Sequence, residues 1–470
     1  MAVRLFRKMR LFRTRARRWP AVAVLVGGVV GVAWWLTAAD ATPARVAAAK
    51  PGWSALSSCP RAVRRLGLIA FVARGRLDLV DLGRCRASVR SAPGATEVRF
   101  SPDGRWLAYG GTPSGTPSGP VVVPVRGGAA RTPLGGGAAR TPLGRGVLGW
   151  AWGRSGAVLY GIDSDGSLIS ATPGGPRRVI AADLVPISDD YYGEPVELSP
   201  DGRQVAVDRS ACQPGTVGEL DTVNVRTGAV TVAVRRSGVF FTFAGWSPNG
   251  RWLLFWAANQ CSASLAADGW PLEAVPAAGG APVQIVPHML LYDDFLSWCE
   301  SDLIAAAGPD RQTNMDSELV SVAPTATGWR RHTIQPARAL SWVSPMCAPS
   351  ARWLVAAAGA NTSKAEFGIE HRSIWLLSAS SGARIRQLSL PPASDLTDEA
   401  PRFSPRGGWV MFVRSHLLLN GFPGSSRDTI ELVRTSGRGS AVPIISFTSD
   451  DISYYDHFDW PYEIDWYQPR

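Results

Sequence analysis

A short turn motif recurs along this chain and constrains its fold more than any other feature. Each clear copy has a short strand-like segment, a Ser-Pro-x-Gly turn and then an apolar segment. Pro and Gly at these places favour a tight turn, and the apolar run favours a strand. The clear copies are Arg99–Tyr109, Glu197–Val207, Gly245–Phe255 and Arg402–Phe412. The motif therefore predicts a series of hairpins with short strands.

Weaker copies of the motif fill the intervals between the clear ones. They are Trp152–Tyr160, Ser297–Ala305 and Cys347–Val355. With them the turns recur about every 50 residues, which is the length of a four-stranded propeller blade and exceeds most helical repeats. The sequence therefore predicts an all-β fold, a single β-propeller of four-stranded blades. We expect eight blades, and seven is the alternative if one weak copy is an insertion.

The two ends of the repeat region predict how the ring closes. Residues 66–82 have the pattern of two inner strands without the strand that should precede them. Residues 463–469 have the pattern of that missing strand. Joining both termini in one blade removes an exposed sheet edge. We therefore expect N- and C-terminal strands to close a propeller domain that spans residues 66–470.

The Phe/Trp-Ser-Pro-Asp-Gly turn followed by an apolar strand resembles the TolB-type, WD-repeat-like β-propeller family. The resemblance covers residues 66–470. It implies the propeller fold, whereas functions in the family range from periplasmic scaffolds to gating domains of prolyl-oligopeptidase-type hydrolases. The chain departs from TolB in its predicted membrane anchor, in having no separate N-terminal domain, and in having more than six expected blades.

The basic charge of the chain is concentrated at its N-terminus. The net charge is +11, and eight positive charges lie in residues 1–19, which contain no acidic residue. The rest of the chain carries only +3, so the sequence predicts no nucleic-acid partner. Residues 20–39 are uncharged and apolar, and about 20 such residues are enough for a helix to cross a membrane.

These features predict a signal anchor with the propeller outside the cytoplasm. The basic residues precede the apolar segment, so the positive-inside rule keeps residues 1–19 in the cytoplasm and exports the rest. A cleaved signal peptide is the alternative, because small residues at 38, 39 and 41 match a cleavage site. With the anchor retained, residues 40–65 form an extracytoplasmic linker between it and the propeller in this prediction. The predicted location is the cell membrane, with a single pass.

All six cysteines follow the apolar segment, and an even number suits an oxidising compartment. Two pairs occupy equivalent places in adjacent repeats, and a third would tie the linker to the first blade. The predicted disulfides are Cys212–Cys261, Cys299–Cys347 and Cys59–Cys85. Free buried thiols are the alternative, because adjacent blades diverge outward and a disulfide needs Cα atoms about 4.4–6.8 Å apart.

Sequence motifs of catalysis and metal binding are missing. The chain has no G-x-S-x-G nucleophile elbow, no H-E-x-x-H spacing and no C-x-x-C pair. The sequence therefore predicts no catalytic residue, no metal and no cofactor.

Acidic and aromatic residues gather before several predicted inner strands. In a propeller these loops emerge on one face, around the mouth of the central channel. Carboxylates and aromatic rings there would suit a cation, a basic peptide or a sugar, and a merely solvated surface is the alternative. The candidate ligand-binding residues of this acidic funnel are Asp189, Asp190, Tyr191, Tyr192, Glu194, Asp293, Asp294, Asp398, Glu399, Asp456, His457 and Asp459.

These predictions favour an extracytoplasmic binding or scaffold module for a protein or glycan partner at the cell envelope. A propeller-type enzyme, a glycosidase or lyase using the acidic funnel, is the alternative. It would need two carboxylates about 5–9.5 Å apart in a closed pocket. A transmembrane sensor is a third hypothesis, but residues 1–19 are too short and basic to fold, so it would need a membrane partner.

Overall fold

A computed structural model describes residues 53–469 apart from several gaps. The gaps are 57–58, 93, 111–118, 126–142, 144–145, 155, 185–195, 211–216, 260–267, 309–315, 327, 362–370, 419–424, 438–439, 450–456 and 458–459. The basic tail 1–19 and the predicted transmembrane segment 20–39 lie outside the described residues. Within the described part, no helix combines the length and the apolar character needed to cross a bilayer.

The described chain is almost entirely β-strand. Numbered in chain order, the strands of the first half are β1 (Trp53–Ala55), β2 (Leu68–Ala73), β3 (Arg76–Asp81), β4 (Arg86–Ser91), β5 (Glu97–Phe100), β6 (Trp106–Gly110), β7 (Val121–Pro124), β8 (Val147–Trp152), β9 (Leu159–Asp163), β10 (Leu168–Ala171), β11 (Arg178–Ala181), β12 (Val196–Leu198), β13 (Gln204–Asp208), β14 (Val217–Asn224) and β15 (Val230–Ser237). The second half adds β16 (Phe240–Trp246), β17 (Trp252–Ala258), β18 (Trp270–Pro276), β19 (Val283–Met289), β20 (Leu296–Cys299), β21 (Asp302–Ala307), β22 (Glu318–Thr325), β23 (Gly328–Gln335), β24 (Leu340–Cys347), β25 (Trp353–Ala360), β26 (Ser373–Ser378), β27 (Arg384–Gln387), β28 (Leu396–Phe403), β29 (Trp409–Leu418), β30 (Ser425–Arg434), β31 (Val442–Ser449) and β32 (Ile464–Tyr467). The described helical turns are Arg61–Val63, Asp293–Phe295 and Trp460–Glu463.

These strands form eight antiparallel sheets, the blades of a β-propeller. Six blades have four strands in chain order, from β8–β11 to β28–β31. Blade 2 contains β5–β7 within the described residues. Blade 1 has the order β1-β4-β3-β2-β32. The prediction of an all-β propeller with eight blades is therefore confirmed.

The two termini close the ring in blade 1, as predicted. Strand β32 pairs antiparallel with β2, with Tyr467 opposite Leu68. The indole of Trp466 donates a hydrogen bond of 2.7 Å to the carbonyl of Leu66. Residues 53–63, which the sequence placed in the linker, add β1 and a helical turn to this blade. They were missed because a three-residue strand has too few positions to show an alternating pattern.

Two of the three predicted disulfides lie within the described residues, and both are present. Cys59–Cys85 joins the segment before β2 to the end of the β3–β4 turn, with Cα atoms 5.7 Å apart. Cys299–Cys347 joins the ends of the inner strands of blades 6 and 7, with Cα atoms 5.4 Å apart. The predicted Cys212–Cys261 pair lies outside the described residues.

The recurring turn is held by side chains of its own motif. The hydroxyl of Ser101 donates to Asp103 at 2.6 Å and accepts from the backbone N–H of Trp106 at 3.0 Å. Ser199 and Ser247 make the corresponding two bonds in their own blades. Such local side-chain bonds offer the backbone a turn in place of continued strand pairing. These bonds explain why the motif recurs at the turn between the first and the second strand of a blade.

The inner strands are sheet edges, so some of their backbone groups have no partner strand. Side chains of neighbouring blades form hydrogen bonds with these groups. The backbone N–H of Phe100 in blade 2 donates to the carboxylate of Asp465 in blade 1 at 2.7 Å. The indole of Trp152 in blade 3 donates to the carbonyl of Arg99 in blade 2 at 3.1 Å. Apolar side chains also pack across blade boundaries, as Phe71 of blade 1 and Phe447 of blade 8 do. The core therefore lies largely between blades and depends on the closed ring.

The closure leaves no room for a side chain at Gly67. This residue has φ 87°, and an added Cβ would lie 2.1 Å from the carbonyl oxygen of Tyr467. We expect Gly67→Ala to lower the free energy of unfolding by about 1–3 kcal/mol more than a glycine replacement without a clash. Gly238→Ala is the matched control, because Gly238 has φ 74° and nothing within 4 Å of an added Cβ. Urea unfolding followed by tryptophan fluorescence would measure both, and equal losses would contradict the expected clash.

Candidate binding site at the channel mouth

The loop before blade 6 carries two of the predicted funnel acids. Asp293 and Asp294 lie in the helical turn that precedes β20. One carboxylate oxygen of Asp294 accepts a hydrogen bond from the hydroxyl of Ser344 at 2.6 Å. The other lies 2.7 Å from Nε2 of His457. The His457 ring stacks on Tyr292 with centroids 3.6 Å apart, so this candidate residue is fixed on two sides.

The segment before β32 reaches across the ring at this mouth. The hydroxyl of Tyr462 donates to Asp293, before blade 6, at 2.5 Å. The Tyr462 carbonyl accepts a hydrogen bond of 2.9 Å from Nη1 of Arg99, on the inner strand of blade 2. Blades 2 and 6 are opposite each other in a ring of eight. A residue that contacts both must therefore lie at the central channel.

A second arginine of the channel also holds this segment. Nη1 of Arg402, on the inner strand of blade 8, donates to the carbonyl of Ile464 at 3.0 Å, and Nη2 donates to that of Pro461. Loss of solvent contact and, to a smaller extent, the nearby cation of Arg99 lower the pKa of Arg402 to about 10, although the carboxylate of Asp465 opposes both effects. Arg402 therefore remains a cation at neutral pH.

The described part of the mouth is a cluster of mixed charge. Asp293, Asp294 and Asp465 contribute carboxylates, and Arg99 and Arg402 contribute guanidinium groups. Residues from blades 1, 2, 6, 7 and 8 thus meet within one network of hydrogen bonds. Fixed donors and acceptors beside aromatic rings suit recognition of a polar ligand such as a sugar or a peptide.

Two of the predicted funnel residues do not belong to the mouth loops. Asp398 and Glu399 lie inside β28, and both are buried. Asp398 receives two hydrogen bonds from Arg414, at 2.7 and 2.9 Å, and Glu399 receives one from Arg372 at 2.9 Å. Their placement in a loop is therefore wrong. The inner strand of blade 8 begins earlier than the motif suggests, and it continues through a bulge between Glu399 and Arg402.

The remaining funnel candidates lie outside the described residues, and their binding role stays a prediction. They are Asp189, Asp190, Tyr191, Tyr192, Glu194, Asp456 and Asp459.

Sequence reasoning missed the two channel arginines, although the repeat contained a signal for them. Arg99 and Arg402 each stand two residues before the serine of a turn motif, in Arg-Phe-Ser-Pro. The same place holds Glu197 and Gly245 in the two other clear copies. A charged residue that recurs on inner strands indicates a polar channel. Tyr462 offered no such signal, because its partner Asp293 is distant in the sequence.

No protein-family model and no curated protein matches the chain. Among solved structures, it is similar to a protein described as TolB from Agrobacterium tumefaciens, at 15% identity and a TM-score of 0.32, covering 58% of this chain and 84% of the other. It is similar to BamB from Moraxella catarrhalis at 14% identity and a TM-score of 0.41, covering 74% and 88%. It is also similar to an oligogalacturonate lyase in complex with manganese, at 14% identity and a TM-score of 0.46, covering 83% and 99%. TolB thus stands among the similar structures, and likenesses of this degree concern the fold alone.

Proposed function

We propose that the protein is a membrane-anchored, extracytoplasmic β-propeller that binds a protein or glycan partner at the cell envelope. The mixed-charge cluster at the channel mouth is the binding site in this proposal, together with the predicted acidic residues around it. The function is recognition, and the anchor at residues 20–39 keeps the recognition module at the membrane.

The observation that carries the proposal is the network that joins opposite sides of the mouth. Tyr462 contacts both Asp293 and Arg99, and His457 is fixed by Asp294 and Tyr292. A site whose side chains are already held loses little conformational entropy when a ligand binds. Such preorganisation favours a binding face over an ordinary solvated surface.

The disulfides support the proposed compartment. Cys59–Cys85 and Cys299–Cys347 are both formed, and stable disulfides are typical of proteins outside the reducing cytoplasm. The proposed topology places both on the exported side of the anchor.

The enzymatic alternative, a glycosidase or lyase, loses two of its candidate carboxylates. Asp398 and Glu399 are buried in ion pairs with Arg414 and Arg372, where no substrate can reach them. Of the described funnel acids, this leaves Asp293 and Asp294, which hold the mouth segment through hydrogen bonds. These contacts favour binding over catalysis.

Binding of the full chain to a panel of envelope glycans and basic peptides tests the proposal. We expect Asp189→Asn, Asp190→Asn and Asp293→Asn together to weaken binding about tenfold or more, because charged hydrogen bonds are typically worth 1.5–3 kcal/mol each. Glu300→Gln with Asp302→Asn is the control, since both residues lie at the turn of blade 6 away from this mouth. Equal weakening in both variants would contradict a site at the mouth.

A further inference from the structure

Arginine occupies the same turn in six of the eight blades. The turn joins the first strand of a blade to the second, so it lies at the far end of the inner strand from the loops that carry Asp293 and Asp294. We call these arginines the turn ring. Its members, all exposed, are Arg105, Arg154, Arg203, Arg251, Arg352 and Arg406.

The turns of adjacent blades contact one another around the second opening of the channel. A Cβ added at Gly202 would lie 3.6 Å from the Cβ of Arg154, in the turn of the preceding blade. One added at Gly250 would lie 3.7 Å from Cδ of Pro200. Cys299–Cys347 links the corresponding positions of blades 6 and 7. Because the same turn recurs at the same strand ends, the arginines lie on one face of the propeller, around this opening.

Acidic residues in the same turns neutralise this charge only in part. Asp103 and Asp201 accept bonds from the motif serine and from the backbone of the following arginine. The side chains of Arg105 and Arg203 come no closer to these carboxylates than 3.9 and 3.8 Å. The turn of Arg251 has an asparagine in the acidic position. At the turn of blade 6, Glu300 and Asp302 add two further carboxylates. Six arginines against four acidic residues leave these turns with a net charge of +2, so the face stays positive.

Tryptophans accompany the turn ring. Trp106, Trp252 and Trp353 each follow one of its arginines directly and are half-buried. The guanidinium of Arg352 lies 4.6 Å from the centroid of the Trp353 ring. Tryptophan favours the boundary between water and lipid, and arginine can lay its apolar stem along such a boundary while its head contacts phosphate.

We propose that the turn ring docks the propeller on a bilayer surface that contains anionic phospholipid. Cations distributed around one face of the propeller match a plane of headgroup phosphates, whereas a single acidic peptide would reach only part of that face. The proposal rests on the anchor of the proposed function, because residues 40–52, between that anchor and β1, span up to about 45 Å when extended and let this face reach the membrane. The mixed-charge mouth then faces away from the membrane, toward a partner.

Vesicle binding in trans tests this orientation without interference from the anchor. The full chain is inserted through its anchor into nanodiscs of phosphatidylcholine, and sedimentation with added vesicles is measured. We expect binding to vesicles with 30% phosphatidylglycerol, none to pure phosphatidylcholine, and loss of binding at high salt. Arg203→Gln, Arg251→Gln and Arg352→Gln together should weaken binding about 100-fold, at about fivefold for each arginine.

Two matched variants test whether vesicle binding depends on the position of the arginines or only on the net charge of the protein. Arg330→Gln, Arg384→Gln and Arg386→Gln remove three exposed arginines from outer strands and should leave vesicle binding unchanged. Replacing the three turn-ring residues by lysine should retain most of the binding. Equal losses in both glutamine variants, or binding of polyglutamate with none of anionic vesicles, would overturn the proposal. Ligand binding at the mouth should be the same in all these variants, so it reports separately on the proposed function.

Discussion

Truncation of the chain after Glu463 is expected to abolish the folded propeller. The cut removes β32, whose backbone pairs with β2 from Leu68 to Phe71. It also removes Trp466, which is buried in the core between blades 8 and 1, and the carboxylate that receives the Phe100 N–H. Blade 1 would then present an open sheet edge toward the channel, which favours aggregation. We expect loss of the cooperative thermal transition, measured by circular dichroism.

Two further variants test whether the loss of β32 itself prevents folding. Removal of Arg470 alone should leave the transition unchanged, because β32 ends at Tyr467. Trp466→Ala keeps the strand but removes its largest buried side chain, and it should lower the free energy of unfolding by about 3–5 kcal/mol. A truncated chain that unfolds cooperatively at the temperature of the full chain would show that ring closure is dispensable.

Loss of the Arg414 side chain is expected to cause the next largest decrease in the free energy of unfolding. Its guanidinium donates two hydrogen bonds to Asp398 and one of 2.9 Å to Glu431. Asp398 is 0% exposed and Glu431 is 6% exposed, so neither carboxylate can regain its water. Removing one partner of a buried ion pair typically costs 3–5 kcal/mol. We expect a loss of about this size for Arg414→Met, measured by urea unfolding, and little change for the exposed control Arg427→Met.

This loss should depend on pH in a defined direction. Burial raises the pKa of Asp398 and of Glu431, and the cation of Arg414 opposes that rise. Without the cation both pKa values rise further above those of the unfolded chain. A carboxyl with a raised folded-state pKa stabilises the folded state fully below its unfolded pKa, and that contribution is lost as the pH rises through the folded pKa. Arg414→Met should therefore cost more stability at pH 7 than at pH 5, and an equal cost would contradict this account.

The fold could be predicted because the turn motif is local. Ser101, Pro102 and Gly104 determine one turn by bonds within six residues, and repetition of that turn fixes the number of blades. The pairing of the termini followed from the missing inner strand in the sequence of the first blade. Blade number, closure and the Cys299–Cys347 link were thus accessible from sequence spacing.

The site was only partly accessible because its contacts join distant parts of the chain. Tyr462 and Asp293 are 169 residues apart, and His457 and Asp294 are 163 apart. Acidic composition identified Asp293 and Asp294, but it did not distinguish them from Asp398, which is equally acidic and belongs to a buried ion pair. Whether a carboxylate faces a channel or a core depends on where its strand begins. A bulge interrupts the alternation of apolar and polar residues in β28, so the sequence pattern does not show where this strand begins.

The closing strand also determines when the ring can form during synthesis of the chain. The inner strand of the first blade, β32, is the last of the described strands to be made. Until then β2 has no partner on its inner side, although β3, β4 and the Cys59–Cys85 link can already form. A growing chain therefore carries an unpaired strand edge at its first blade until β32 has been made. The cell must keep that edge from pairing with other chains until β32 is available.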